Sequence, residues 1–386
     1  MMRLYLLEPA HATGLWTPFA GVRPVAELRA GAFRIRERWE RALGLATEAI
    51  LDDLTAGFAD VDAPPVVPGG AVTGPAILAA SDFAPTLARI AIPSSVTRLT
   101  SSGRTVARIL RDGESAGDLG TGGPSLDVTG MWLGGAHHLL DAAEQLLAPD
   151  ATSLDVAASL PAGSIILGDA TLIRGDLAGV EPGVVFDLRH GPVAIAPGAE
   201  VRNGGRLEGP CWIGPGARIV GGFVRASVIG PMCVVHGEVS SSVFLGYANK
   251  AHDGFVGHSV IGHWVNLGAL TTTSNLKNTY GPVRLVTPTG SLDTGRQFLG
   301  SLIADHAKTA IGTMLGTGTE IGTGASVFGA SQPPRWVPPF AWGGSSGERM
   351  NLDGFLAIAG RVLPRRGVTV TPAHTAWLTA LYRRLS

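Results

Sequence analysis

The chain has 386 residues, enough for two folding units, with 30 basic against 31 acidic residues and 45% hydrophobic content. That balance excludes an intrinsically disordered chain and gives no basic surface for nucleic acid. Two cysteines, Cys211 and Cys233, are too few for a disulfide framework, and no 18-residue apolar run or leader-like opening is present, so a cytoplasmic location away from the membrane is expected.

In chain order, Arg3–Glu8 reads as a first strand, 29–45 as a helix, and 47–54 as another strand. Stretches 60–74 and 112–125 are rich in Pro and Gly and read as loops. Residues 135–147 read as a second helix closed by Ala148-Pro149. Strands alternating with helices predict an α/β, Rossmann-like layer structure for residues 1–153.

After Ser153 the period changes. Ile195, Val201, Leu207, Ile213 and Ile219 follow one another at a spacing of six, and glycine often comes directly after the aliphatic residue, as in Ile213-Gly214, Ile229-Gly230 and Ile261-Gly262. This is the hexapeptide signature of a parallel β-helix: one inward aliphatic residue per short strand fills a prism, while small residues accept the corners. With 54 glycines the chain is unusually well supplied for such corners. The β-helix is expected over 154–335, with an ordered insertion at 271–300, and a tail ending in a helix over 336–386.

The segment 249–278 gathers Lys250, His252, His258, His263, Asn266 and Asn275 on coils or corners. A histidine on such a coil is more often a surface residue than a catalyst, and three histidines on successive prism faces diverge too far to hold a metal. No metal site is assigned. Taken alone these residues select no reaction: histidine can act as a base near pH 7, lysine carries a compact positive charge, and asparagine hydrogen-bonds in both senses.

The run KAHDGFVGHSVIGHWVNLGALTTTSN resembles the active-site stretch of the bifunctional N-acetylglucosamine-1-phosphate uridyltransferase / glucosamine-1-phosphate acetyltransferase family. The resemblance implies His252 as general base, Asn266 and Asn275 on the sugar side, Lys250 on a phosphate, and the backbone of Ala269 beside the pantetheine arm of acetyl-CoA. It assigns no role to His258 or His263. The family's tyrosine three positions after the base is Phe255 here, and Gly281 stands near the place of a second lysine.

Residues 13–28, TGLWTPFAGVRPVAEL, are similar to the sugar nucleotidyltransferase signature through Thr13, Leu15, Trp16, Pro18, Arg23 and Pro24. Arg23 is thereby implied on the substrate side. The glycine-rich phosphate loop, however, is replaced by Glu8-Pro9-Ala10-His11-Ala12, its arginine by Gly14 and its lysine by Val25. Without those groups the developing phosphoryl charge has no local compensation, so nucleotidyl transfer is expected to be weak. Magnesium is expected only if this half is active, with Asp52, Asp53 and Asp82 as the acidic residues at strand ends.

As a whole, residues 1–340 are most similar to sugar nucleotidyltransferases with a hexapeptide-repeat C-terminal half. The resemblance implies a left-handed triangular prism, a homotrimer, acetyl-CoA as co-substrate, and an amino-sugar phosphate or nucleotide sugar as partner. Two other functions stay open: a nucleotidyltransferase whose β-helix only assembles the trimer, and a non-catalytic sugar-nucleotide scaffold.

Overall fold

A seven-stranded mixed sheet organises the N-terminal half: β1 (Arg3–Leu7), β2 (Thr47–Leu51), β3 (Val66–Val67), β4 (Ala76–Ala80), β5 (Arg98–Ser101), β6 (Arg104–Leu110) and β7 (Ser125–Asp127), in the order β7-β5-β6-β4-β1-β2-β3. The computed structural model describes residues 1–9, 12–287, 290–329, 332–344 and 347–386. The central strands β2, β1 and β4 run parallel, while β6 is antiparallel to both β4 and β5. β1 alternates, with Leu4 and Leu6 fully buried, whereas β4 (AILAA) is buried along its whole length, as a strand covered on both faces must be.

The helix expected over 29–45 is shorter. Arg29–Ala30 and Phe33–Arg34 form a small hairpin, and α1 spans only Ile35–Leu43, ending on Gly44 at φ 68°. The cause is tertiary: the Arg29 guanidinium donates to Ala32 O (2.6 Å) and to Leu245 O (2.8 Å), which pulls the hairpin onto the C-terminal half. Conversely α2 (His138–Ala151) continues through Pro149, where the sequence predicts a stop. Asp150 anchors that last turn by accepting from Ala32 N (2.9 Å) and from the buried Arg38, so the lost backbone donor is tolerated.

The C-terminal half is a three-faced parallel β-solenoid whose faces carry nine, seven and six strands among the described residues. The six-residue spacing is the pitch of one face: Ile195 and Ile213 lie on the nine-strand face, Val201 and Ile219 on the seven-strand face, and Leu207 on the six-strand face. Register then stacks like on like. Ile195, Ile213, Ile229, Phe244, Ile261, Ile303, Ile321 and Val337 form one column inside the prism. Each such side chain gains about 1.5–3 kcal/mol from burial. The last strand, Trp336–Val337, carries the solenoid just past residue 335.

Two large hydrophobic cores result, beside a small cluster of Ala76, Leu110 and Ala116. One fills the prism. The other belongs to the N-terminal half but runs on without a break to outward residues of the nine-strand face, including Ala194, Trp212, Val228 and Val243. The solenoid is therefore a wall of the N-terminal core. Along the corner joining the nine- and seven-strand faces, Tyr247, Trp264, His306 and Phe340 all have φ between 57° and 63°. That costs a non-glycine residue about 1 kcal/mol or more, and ring stacking offsets it, with Tyr247 and Trp264 centroids 4.3 Å apart.

The insertion leaves the solenoid after Thr272–Thr273, forms a hairpin of Arg284–Thr287 with Gly290–Asp293, and returns at Ser301–Ile303. Arg296 fastens it to α2 through Asp141 and Glu144. The tail forms α3 (Leu352–Val362) and α4 (Pro372–Leu385). It packs on both halves of its own chain: Trp377 meets Phe58 at 5.2 Å and Arg384 donates to Gly21 O in the N-terminal half, while Phe355 meets His306 of the solenoid at 5.6 Å. No helix among the described residues is long and apolar enough to cross a membrane.

Candidate active site

After the short strand Asn249–Lys250 on the seven-strand face, the chain turns a corner through Ala251, His252, Asp253 and Gly254 onto Phe255–Gly257 of the six-strand face. Gly254 has φ 126°, and a Cβ there would stand 2.2 Å from Thr271 O, so only glycine closes this corner. His252 is exposed at its apex. The next coils continue the same edge, because Leu270 N donates to Asp253 O (2.9 Å) and Gly312 N to Ala269 O (2.8 Å). Ala269 and Ile311 thus follow His252 at the sheet spacing of about 4.8 Å per coil. Leu270 is 61% and Ile311 79% exposed, which gives the imidazole a narrow apolar strip alongside. Beside it, Asp253 Oδ1 lies 3.1 Å from His236 Nε2.

Lys250 departs from its expected place on a substrate phosphate. It pairs in register with Val235, so its side chain enters the prism, where it is 1% exposed. Its Nζ donates to His236 O (2.9 Å) and His252 O (2.5 Å). Burial lowers the ammonium pKa to about 8, with Asp253 acting in the other direction. An ammonium shut inside the column meets carbonyls and no solvent-borne anion; what it does hold is the backbone of the His252 corner.

The two asparagines stand apart. Asn266 points outward from the seven-strand face, where its Oδ1 accepts from Asn249 Nδ2 (3.0 Å) and Asn249 in turn accepts from Arg366 (3.2 Å). Asn275 follows Thr272–Thr273 at the far end of the six-strand face, with Nδ2 2.9 Å from His258 Nδ1. Within one chain, His252 occupies the corner between these two faces and does not share a pocket with both asparagines.

Two further residues stand near the asparagines: His258, to which the resemblance assigns no role, and Lys308, which the sequence did not single out. His258 stacks on Phe298 at 5.2 Å, and burial, helped by Arg225, lowers its pKa to about 4, so it is neutral at pH 7. Lys308 pairs in register with Asn266 on the following coil, and burial lowers its pKa to about 8. Both neighbours are set by coil stacking across 17 and 42 positions, a separation that no local motif records.

Arg23 likewise departs from its expected substrate role. It is 3% exposed and donates to Asp305 Oδ2 from both Nε (3.0 Å) and Nη2 (2.9 Å), and also to Asp60. Asp60 Oδ2 lies 2.9 Å from His263 Nδ1, while His263 N donates to Asp305 Oδ1 (2.9 Å). Burial alone would raise the Asp60 carboxyl, but Arg23 and His263 outweigh it and hold it well below the usual carboxylate range. Gly246, one coil before, makes room for the His263 ring: a Cβ there would meet Nε2 at 3.0 Å. Arg23 and His263 therefore join the two halves.

At the carboxyl end of β1, Glu8 accepts from Val25 N (2.7 Å) and Ala26 N (3.0 Å), and burial pushes its carboxyl up to about 8. Both of these backbone donors are therefore taken by the Glu8 side chain. Ala10 and His11 of the replaced loop lie outside the described residues. The acidic residues fit a magnesium ion poorly: Asp52 accepts from Leu54 N, Thr55 N and Thr55 Oγ1, and Asp53 accepts from Gly69 N. Among the described residues no cluster of three His, Cys, Asp or Glu could hold a metal.

Residues 5–154 match the family model of a sugar nucleotidyl transferase. A stretch of 91 residues is 33% identical to a bifunctional sugar-1-phosphate nucleotidylyltransferase/acetyltransferase of Sulfurisphaera tokodaii, covering 24% of this chain and 23% of that protein. Over 94 residues the chain is 33% identical to the bifunctional protein GlmU of Methanococcus vannielii, covering 24% and 22%. The match thus spans less than a quarter of the length of these curated relatives. Among solved structures, a UDP-N-acetylglucosamine acyltransferase aligns over 58% of this chain and 83% of its own, at 15% identity and a TM-score of 0.21.

Proposed function

We propose that this chain, which carries a sugar nucleotidyl transferase domain followed by a parallel β-solenoid, is an acyl-CoA-dependent N-acyltransferase acting on an amino-sugar phosphate or nucleotide amino sugar. The observation that carries the reading is the exposed imidazole of His252 at the head of the strip formed by Ala269, Leu270 and Ile311. An extended thioester arm laid along that corner would meet small and apolar side chains and bring its carbonyl to the histidine. The acceptor's neutral amine attacks the thioester carbonyl, His252 takes the amine proton, the C–S bond breaks, and CoA leaves as the thiol.

Asn266 and Asn275 face different sides of one prism, so a sugar held by both kinds of contact needs a second copy of the chain against the His252 corner. A homotrimer supplies that arrangement and is part of the proposal, as is acetyl-CoA as co-substrate. With Lys250 and Arg23 committed inside the chain, the acceptor's phosphate is left to other cations; Lys308, beside Asn266, is the candidate.

The same two burials favour one further reading, a sugar-nucleotide-binding scaffold without turnover. A thiol-release assay with acetyl-CoA and a panel of amino-sugar phosphates and nucleotide amino sugars separates the two. Release that falls by ~10²- to 10⁴-fold in His252→Ala supports the acyltransferase. Saturable binding of a nucleotide sugar with no thiol release from any acceptor supports the scaffold.

A further inference from the structure

Between the 29–34 hairpin, α1 and the solenoid lies a cavity of about 510 Å³ whose lining includes neither Glu8 at the mouth of the N-terminal sheet nor a residue of the His252 corner. That volume falls in the range of small-molecule sites, which favour domain seams. Its walls include the rings of Phe33, Trp212 and Tyr247 and the side chain of Met232. Phe33 and Trp212 brace each other at 5.1 Å, and Tyr247 is backed by Trp264 at 4.3 Å, so these flat surfaces are held in place before any ligand arrives.

The polar groups on this lining divide into two sets. Arg34 is bound to Glu27 and Glu37, and Arg29 to backbone carbonyls. By contrast, Arg41 lies over the Phe33 ring at 4.1 Å and forms no ion pair among the described residues. Trp212 Nε1 and Tyr247 Oη, on the same lining, donate to no acceptor among the described residues, and the Asp62 carboxylate accepts from no donor among them. A rigid aromatic wall, an unspent guanidinium fork, two unspent single donors and one acceptor converge on one volume.

We propose that this cavity binds a nucleoside 5′-phosphate. The base extends the Tyr247–Trp264 stack, its carbonyl or ring acceptors take the Trp212 and Tyr247 donors, the ribose hydroxyls reach Asp62, and the phosphate sits on the Arg41 fork. An apolar ligand would leave the three donors and Asp62 without partners, and a bare anion would leave the aromatic wall uncovered. The site lies between the two halves, so its ligand touches both.

The test is isothermal titration of the full-length protein with UMP and with AMP, against uridine and inorganic phosphate. At least one nucleotide should bind, with uridine and inorganic phosphate each about tenfold or more weaker. Arg41→Ala, an exposed position that leaves the fold intact, should weaken the nucleotide about tenfold or more, and Tyr247→Phe should weaken it severalfold by removing one hydroxyl. His252→Ala should bind as the unaltered protein does, so this result is independent of the acyltransferase reading. No heat from either nucleotide at millimolar concentration would overturn the proposal. So would inorganic phosphate binding as tightly as the nucleotide, or affinity indifferent to Arg41→Ala.

Discussion

Arg23 and Asp305 stand 282 positions apart in the chain, yet their side chains share two hydrogen bonds of 3.0 and 2.9 Å in the buried seam between the halves. Replacing Arg23 by Met removes the ion-pair partner that Asp305 has among the described residues and leaves two acidic groups, Asp60 and Asp305, buried together. Urea unfolding at pH 7 should show a loss of about 3–5 kcal/mol. Asp60 titrates in the folded chain well below its unfolded value of 3.8, so its contribution is present above that value and disappears as the pH falls through the folded one. An Arg23→Met protein as stable as its parent would exclude this role for the seam.

The three histidines should separate by burial. His263, 3% exposed against Asp60, should cost roughly 1–3 kcal/mol on replacement by Ala, and His252 less than about 0.5 kcal/mol. Differential scanning calorimetry reads both. In the assay of thiol release the order reverses, with His252→Ala the more damaging per degree of Tm lost.

Lys250→Met places an apolar chain of similar length in an apolar column. Between pH 8 and 10.5 the folded protein gives up the Lys250 proton while the unfolded chain still holds it, so stability rises with pH across that window. The variant should lack that rise in urea titrations at pH 8 and 10. Its KM for a phosphate-bearing acceptor should be unchanged, since the ammonium faces the prism interior; a tenfold rise in KM would return Lys250 to the substrate.

Glu320 is fully buried on the nine-strand face with neither carboxylate oxygen hydrogen-bonded, and burial pushes its pKa to about 8, with Arg335 opposing. The unfolded chain loses that proton near 4.5, so stability falls as pH rises from about 4.5 to 8. Glu320→Gln keeps the neutral form at every pH. It should match the parent at pH 5 and exceed it by roughly 2–4 kcal/mol at pH 9, with Glu8 leaving part of the slope in place.

Arg296→Ala should free the insertion from Asp141 and Glu144 of α2. Limited proteolysis should then cut within the 284–293 hairpin several times faster, with the solenoid core resistant. Equal cutting rates would show that packing of Val283 and Leu285 alone holds the insertion.

The sequence by itself determined the solenoid, because a prism needs one aliphatic side chain per six residues and Ile195, Val201, Leu207, Ile213 and Ile219 declare that period locally. It also determined that the nucleotidyl loop lacks its cations at Gly14 and Val25, and that an exposed histidine sits at position 252. What it could not decide was direction and company. Lys250 occupies an inward hexad position, but a coil with a shortened neighbour shifts phase, and only the register with Val235 sends its ammonium into the prism. Arg23 reads as a ligand residue until the fold brings Asp60 and Asp305 to it. The hairpin at 29–34 and the extension of α2 through Pro149 were decided the same way, by Arg29 reaching Leu245 O and Asp150 reaching Ala32 N. Local propensity sets the period of a chain, whereas the pairing of a buried charge depends on residues hundreds of positions away, and those meet only once both cores have closed.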